Sequence, residues 1–253
     1  MSDGFDRVKT GIKGLDELIE GGIPRGRTVL LSGATGTGKS IFAMEYIYKG
    51  ATEYNEPGVF VTFDENPNKI RQDMLRFGWN ITEEEKHDKI AILDGSSAKI
   101  GAPSEEEHLL MPGLDFNKLL VEMLGTCRKV GAKRLVVDSI PAMGQLLEKE
   151  GDIRKNILKL SYTLSRSGIT SILTSELEEQ DVGKSGSLKF SKYGVEEYVA
   201  DGVILLNMLS IGSSENRTAY IRKLRGTKHS LAFHSFTISE HGVTIKKVED
   251  IFK

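Results

Sequence analysis

The chain alternates short runs that are apolar at nearly every position with longer stretches of helical period. The runs are Thr28 to Ser32, Val59 to Phe63, Ile90 to Leu93, Arg134 to Asp138, Thr170 to Thr174 and Gly202 to Asn207. A strand covered on both faces needs no polar side, so these runs predict buried strands. Between them lie Ser40 to Tyr54, Pro67 to Phe77, Phe116 to Val130 and Asp152 to Ser167, each long enough for a crossover helix. The pattern predicts an α/β fold: a mainly parallel central sheet, helices on both faces and right-handed crossovers.

Further along the rhythm changes. Thr218 to Leu224, Leu231 to Ile238 and Val243 to Val248 follow one another with only turns between, Glu240, His241 and Gly242 reading as a hairpin turn. An antiparallel extension at the sheet edge is expected. Gly95 to Gly113 and Leu177 to Tyr193 read as long, mobile loops. With no internal repeat, low-complexity tract or Pro/Ser-rich linker, residues 1–253 are expected to form one domain.

Composition narrows the class. Of 253 residues 39% are apolar and 28% charged, the profile of a globular protein able to bury a core without disulfides. No stretch approaches the ~18 uncharged apolar residues of a membrane span, and Met1 to Lys9 lacks the apolar centre of a signal peptide. The 34 basic and 36 acidic residues leave a net charge of -2, so no global attraction to nucleic acid or anionic lipid is built in. The single cysteine, Cys127, excludes an internal disulfide framework and a Cys-based metal cluster. The expected location is cytoplasmic. His87, His108 and His234 stand at no metal-ligand spacing, and the acidic run Glu83 to Glu85 reads as a solvated helix start.

One motif carries specific chemistry. Gly33-Ala34-Thr35-Gly36-Thr37-Gly38-Lys39-Ser40 fits G-x-x-x-x-G-K-[ST] and falls between a predicted strand and a predicted helix. Glycines let successive N–H groups turn inward on phosphates, and the helix that follows offers its positive end to the same anion. Gly33, Thr35, Gly36, Thr37, Gly38, Lys39, Ser40 and Ile41 are the candidate contacts to ATP or ADP. Lys39 would reach the β- and γ-phosphates, and the Ser40 hydroxyl would bind Mg²⁺. Asp138, ending a buried strand, is the second metal-side candidate. Hydrolysis also needs a group that orients the attacking water. Asp64 and Glu65 end the strand Val59 to Phe63, where carboxylates overlook the ligand crevice; the plainer role is that Asp64, Glu65 and Asn66 cap the helix that starts at Pro67. Thr174, Ser175 and Glu176 end another strand, where a hydroxyl could sense the γ-phosphate or merely cap.

The order of these motifs resembles RecA-type P-loop ATPases, and more closely the KaiC-like group. Beyond the phosphate loop the matching segments are Thr10 to Leu18, Gly58 to Glu65, Tyr193 to Asp201, Lys223 to His229 and Phe236 to Gly242. The resemblance implies a catalytic carboxylate at Asp64-Glu65, where relatives carry Glu-Glu. It also implies that Lys223 and Arg225 act in trans on the γ-phosphate of a neighbour, and that Leu224, Thr227, His229, Ser239 and Glu240 line the neighbour's side of the nucleotide. Arg76 stands where relatives commonly have a small hydroxyl beside the adenine. Independently of any family, side chains two apart on a strand share a face, so Lys223 and Arg225 read as two cations aimed together; an exposed basic edge strand is the alternative.

The resemblance therefore implies a Mg-ATP-hydrolysing homo-oligomer, a ring read as a hexamer, with self-phosphorylation as a variant. Clock proteins of the group carry two such domains in tandem, and clock function is not transferred to one. Two other readings stand beside it: a RecA-like DNA recombination or repair ATPase, and a non-hydrolysing nucleotide switch for a protein partner that the sequence does not name. The first needs basic loops. Ser139 to Gly151 carries Glu148, Lys149 and Glu150, and Leu177 to Tyr193 mixes Glu178, Glu179 and Asp181 with Lys184, Lys189 and Lys192, which disfavours nucleic acid.

Overall fold

A computed structural model of the chain describes residues 4–145, 150–177, 191–211 and 214–247. The first two strands, β1 (Arg7–Val8) and β2 (Ile23–Pro24), pair antiparallel as a small ribbon. Next come β3 (Thr28–Gly33), α1 (Lys39–Glu53), β4 (Gly58–Thr62), α2 (Pro67–Met74), α3 (Ile81–Lys86), β5 (Ile90–Asp94), α4 (Ser96–Ile100) and α5 (Phe116–Val130). The second half runs β6 (Arg134–Asp138), α6 (Ile140–Gln145), α7 (Glu150–Ser167), β7 (Thr170–Glu176), α8 (Glu196–Val199), β8 (Gly202–Ile211), β9 (Ser214–Leu224), β10 (Phe233–Ser239) and β11 (Gly242–Ile245).

Nine strands form one sheet in the order β11-β10-β9-β8-β3-β7-β6-β4-β5. From β8 to β5 all pairs are parallel, and β8 through β11 pair antiparallel, the predicted architecture with its edge extension. Side chains alternate across a strand, so each apolar run feeds two cores. Leu31, Phe60, Val136 and Ile172 pack with Phe42, Met44 and Ile47 of α1 on one face. Leu30, Val61, Val137 and Leu173 pack with Leu119 and Met123 of α5 and Leu160 of α7 on the other.

The departures from expectation have local causes. The helix predicted over Pro67 to Phe77 ends at Met74 and tightens into a 3-10 turn, Leu75–Phe77, closed by Gly78 at φ 72°. Gly242 already pairs with Ser239, so the last hairpin turns on Glu240 and His241 alone. Gly95 to Gly113 is not a free loop. Its start is α4; Ser104 donates to Asp94 Oδ2 at 2.8 Å, Arg71 grips Glu106 and Glu85, and Lys129 pairs with Glu107 at 2.6 Å. The acidic run does open a helix, α3, with Glu83 exposed, but the half-buried Glu85 also clamps Arg71. Most of Leu177 to Tyr193, with the expected end of the last strand at Val248, lies outside the described residues.

Candidate functional site

The ends of β3, β4, β6 and β7 open onto a cleft of about 440 Å³. Thr35, Gly36, Gly38, Lys39, Ser40 and Ile41 line one side, Asp64, Glu65, Asp138, Ser139 and Glu176 the other, and Asp73, Met74, Arg76 and Phe77 close one end. The sequence-based candidates of the phosphate loop are thereby gathered, with Gly33 and Thr37 behind the loop. Thr37 is fully buried, and its hydroxyl donates to Ala34 O at 2.8 Å, holding the loop's curve. Gly38 turns the chain into α1 at φ 99°, a left-handed conformation that a side chain rarely adopts, and a Cβ there would strike Ile238 Cδ1 at 2.5 Å.

Lys39 is only 8% exposed, with Nζ donating to Gly33 O at 2.9 Å and Ala34 O at 3.0 Å. Burial lowers its pKa against the opposing pull of Glu176 and Asp138. Asp138 is pushed the other way: burial raises its pKa, against hydrogen bonds from Thr174 and Ser40 and the charge of Lys39. Ser40 hydroxyl and Asp138 carboxylate therefore stand in contact, two hard oxygen donors of the kind Mg²⁺ prefers. Loop, lysine and oxygen pair together fit a magnesium-bound triphosphate. Of the strand-end hydroxyls, Thr174 donates to Asp138 and Ser175 to the buried Glu196 at 3.3 Å.

The acidic pair divides. Asp64 Oδ2 accepts from Ser139 Oγ at 2.9 Å and Oδ1 meets Lys99 Nζ at 3.0 Å, whereas the Glu65 carboxylate meets Lys69 at 3.7 Å and the Glu65 backbone bonds the Thr62 hydroxyl. Helix capping, the plainer role, falls to Asn66, whose side chain accepts from Asn68 N. Reading the sequence alone missed Lys99 and Ser139. Ser139 is signalled by its place after Asp138; nothing near Lys99 points to it.

The downstream cations lie elsewhere. Gly33 pairs with Leu206 on β8, but Leu224 pairs with Gly202, about 13 Å away along that strand at ~3.3 Å per residue. Lys223 and Arg225 thus sit at the strand end opposite the phosphate loop. β9 stops at Leu224, so Arg225 is in the following turn and the shared-face argument does not apply to it. The two cations are still neighbours: burial and then Arg225 lower the pKa of Lys223, whose Nζ donates to Glu197 O at 2.8 Å. Leu224 has its side chain in the core, pairs with Gly202 in the sheet, and its carbonyl accepts from Thr227 N at 3.2 Å. Thr227 Oγ1 accepts from Arg7 at 2.9 Å, and His229 Nδ1 lies 3.1 Å from Ser230 O. Ser239 and Glu240 separate from this group. They cap β10 at the phosphate-loop end of the same chain, next to the Ile238 that abuts Gly38.

A second cavity, about 540 Å³, opens between the ends of α5 and α7 and contains none of these residues. Its Arg128 and Arg166 stand in last helical turns, where cations complement the helix dipole. Among the described residues no His, Cys, Asp and Glu group of three or more is placed to hold a metal, and no helix is long and apolar enough to cross a membrane.

Comparison with known proteins decides the family: a model described as "ATPase: KaiC" matches residues 8–250. The chain belongs to the KaiC ATPase family. It is 39% identical to a UPF0273 protein of Methanocaldococcus jannaschii over 94% of this chain and 96% of that one. A circadian clock oscillator protein KaiC of Parathermosynechococcus lividus is 36% identical over 96% of this chain, which spans only 42% of that relative's length. Among solved structures, a KaiC-like protein of the hyperthermophilic archaeon Pyrococcus horikoshii OT3 aligns with TM-score 0.83 and 42% identity, covering 96% of this chain and 100% of the other. Family and fold agree with the strand order and with the cleft.

Proposed function

We propose that the protein is a single-domain, cytoplasmic Mg-ATP hydrolase that works as a homo-oligomeric ring, read as a hexamer, with each nucleotide held between two protomers. The observation that carries this reading is the strand register: the phosphate loop and the Lys223-Arg225 pair occupy opposite ends of one sheet. Neither arm of a lysine nor of an arginine bridges that separation inside one chain. A second copy brings its own pair to the cleft.

In this reading Lys39 turns from the Gly33 and Ala34 carbonyls to the β- and γ-phosphates, and the loop N–H groups cradle the rest. Ser40 and Asp138 would hold Mg²⁺, which would supply charge neutralisation at the phosphate oxygens. Asp64 or Glu65 orients the water that attacks the γ-phosphorus as the bond to ADP breaks. Ile238, Ser239 and Glu240 lie on the phosphate-loop side of their own protomer, whereas Leu224, Thr227 and His229 come with the neighbour. A neighbour's arginine is worth ~10³ to 10⁵ in rate in such sites.

Steady-state phosphate release, read together with particle size with and without Mg-ATP, tests the proposal. Wild type should turn over well above Lys39→Ala and be larger than a monomer when Mg-ATP is present. Turnover equal to Lys39→Ala would leave a nucleotide switch, and a monomer at full activity would remove the shared site.

A further inference from the structure

In the cleft the Asp64 carboxylate is gripped by a lysine on one oxygen and a serine on the other, and the lysine comes from a segment that the phosphate-loop chemistry does not otherwise use. Lys99 Nζ lies 3.0 Å from Oδ1, and Ser139 Oγ donates to Oδ2 at 2.9 Å. Resting on the hydrolase reading above, we propose that Lys99 is a positioning residue: it fixes the plane of the Asp64 carboxylate so that this group, rather than Glu65, orients the attacking water.

The carrier of Lys99 is fastened to the strand that carries Asp64. Gly95 N donates to Thr62 O at 2.8 Å, and a Cβ on Gly95 would sit 2.5 Å from the Phe63 ring and 2.9 Å from Thr62 O. A glycine is therefore needed for α4 to start this close to β4. Asp94 then organises the first turn, with Oδ1 accepting from Ser96 N at 2.9 Å, Ser96 Oγ at 2.7 Å and Ser97 N at 3.2 Å, and Oδ2 accepting from Ser104 Oγ. Burial works against this carboxylate's charge, but bonds from Ser96, Ser104 and Ser97 outweigh it and its pKa is lowered. Arg71 secures the far side of the segment through Glu106. Lys99 thus projects from a rigid base, not from a free loop.

Orientation, more than basicity, is what a phosphoryl-transfer site asks of its water-positioning group, because bond breaking runs ahead of attack. Exposure does not separate the two acids, at 49% for Asp64 and 44% for Glu65, but partners do: a carboxylate held by a lysine and a serine is ready for that task, whereas the Glu65 carboxylate meets Lys69 at 3.7 Å. Asp64 is one methylene shorter than glutamate, so its reach is small and its exact setting matters more. Ser139 ties the same group to the strand end of Asp138, so carboxylate, hydroxyl and metal-side aspartate form one continuous wall.

The test is a double-mutant cycle in phosphate release by the full-length chain. Lys99→Met should lower kcat on the order of tenfold to a hundredfold, the effect of misplacing a reacting group by about 1 Å, with KM for Mg-ATP unchanged. Lys99→Arg should recover most of the loss, and in an Asp64→Asn background Lys99→Met should cost nothing further. Lys69→Met, on the partner of Glu65, should stay within about twofold of wild type. A rise in KM in place of the kcat loss would put Lys99 on the nucleotide itself and overturn the proposal, as would a full loss persisting in Asp64→Asn or a wild-type kcat in Lys99→Met. A wild type no faster than Lys39→Ala would instead remove the hydrolase reading and this role with it.

Discussion

Two cations are enclosed at opposite ends of the same parallel strands, and the protein treats them in opposite ways. Arg134, at the start of β6, is 0% exposed and fully answered: Nε and one terminal nitrogen bond Glu56 at 2.9 and 2.7 Å, the other bonds Tyr46 O at 2.8 Å, and Lys9 O takes a further bond at 2.8 Å. Its guanidinium also lies 4.6 Å over the Tyr46 ring. Lys39, beyond the end of β3, has two carbonyls and, among the described residues, no carboxylate within ion-pair distance. A buried charge with complete partners holds a fold together, since removing one partner strands the other. A buried charge with incomplete partners is a binding group in waiting, at some cost to stability. The lesson is that burial alone does not mark a functional cation; the unfilled part of its coordination does.

The sharpest way to break this contrast is to remove Arg134. Arg134→Ala should lose about 3–5 kcal/mol in denaturant unfolding, because Glu56 keeps only Arg25 as a charged partner and the Tyr46 and Lys9 carbonyls lose a buried donor. Lys39→Met without nucleotide should unfold at or above the wild-type midpoint; a loss like that of Arg134→Ala would erase the distinction.

A buried carboxylate offers the complementary case. Burial raises the pKa of Glu45 to about 7 from 4.5, against hydrogen bonding by Val243 N. Because the folded state then holds a proton that the unfolded state has lost, stability should fall as pH rises from about 4.5 to 7, by roughly 3 kcal/mol in total. Glu45→Gln should flatten that slope and be the more stable protein at pH 8; an unchanged slope would contradict the assignment.

Smaller effects follow. Mg-ATP at a hundredfold excess over Kd should stabilise wild type by ~2.7 kcal/mol and Lys39→Ala hardly at all, as read by thermal unfolding. Asn66→Ala, which removes the acceptor for Asn68 N at the start of α2, should cost ~1 kcal/mol and leave nucleotide-dependent stabilisation intact.

These two regions also differ in how far the sequence disclosed them. The phosphate loop and Asp138 were legible because their chemistry needs fixed residue types at fixed spacing between a strand and a helix. The sheet was legible for a similar reason, since strands buried on both faces leave unbroken apolar runs. Arg134 read only as the first residue of a strand, for its partners Lys9, Tyr46 and Glu56 are remote in sequence and two of them offer backbone oxygen, which no side-chain pattern reveals. Lys99 was hidden likewise, inside a stretch whose glycines, serines and acids read as a mobile loop until Asp94 and Arg71 are seen holding it. The misjudged placement of Arg225 has another origin. Alternation along a strand is a sound rule, but the strand ends one residue too early. Ser239 and Glu240 were grouped with the neighbour's residues on the family resemblance; which end of the sheet their hairpin occupies is visible only in the strand register.

Subunit mixing tests the proposed shared site most directly. Arg225→Ala and Asp138→Asn would each remove one half of it, so each protein alone should release phosphate at a small fraction of the wild-type rate. After exchange of subunits, interfaces that combine the intact loop side of one variant with the intact cation side of the other should restore a substantial part of that rate. If exchange is demonstrated by fluorescence transfer between labelled subunits and activity stays at the level of the separate variants, the two halves do not serve one triphosphate.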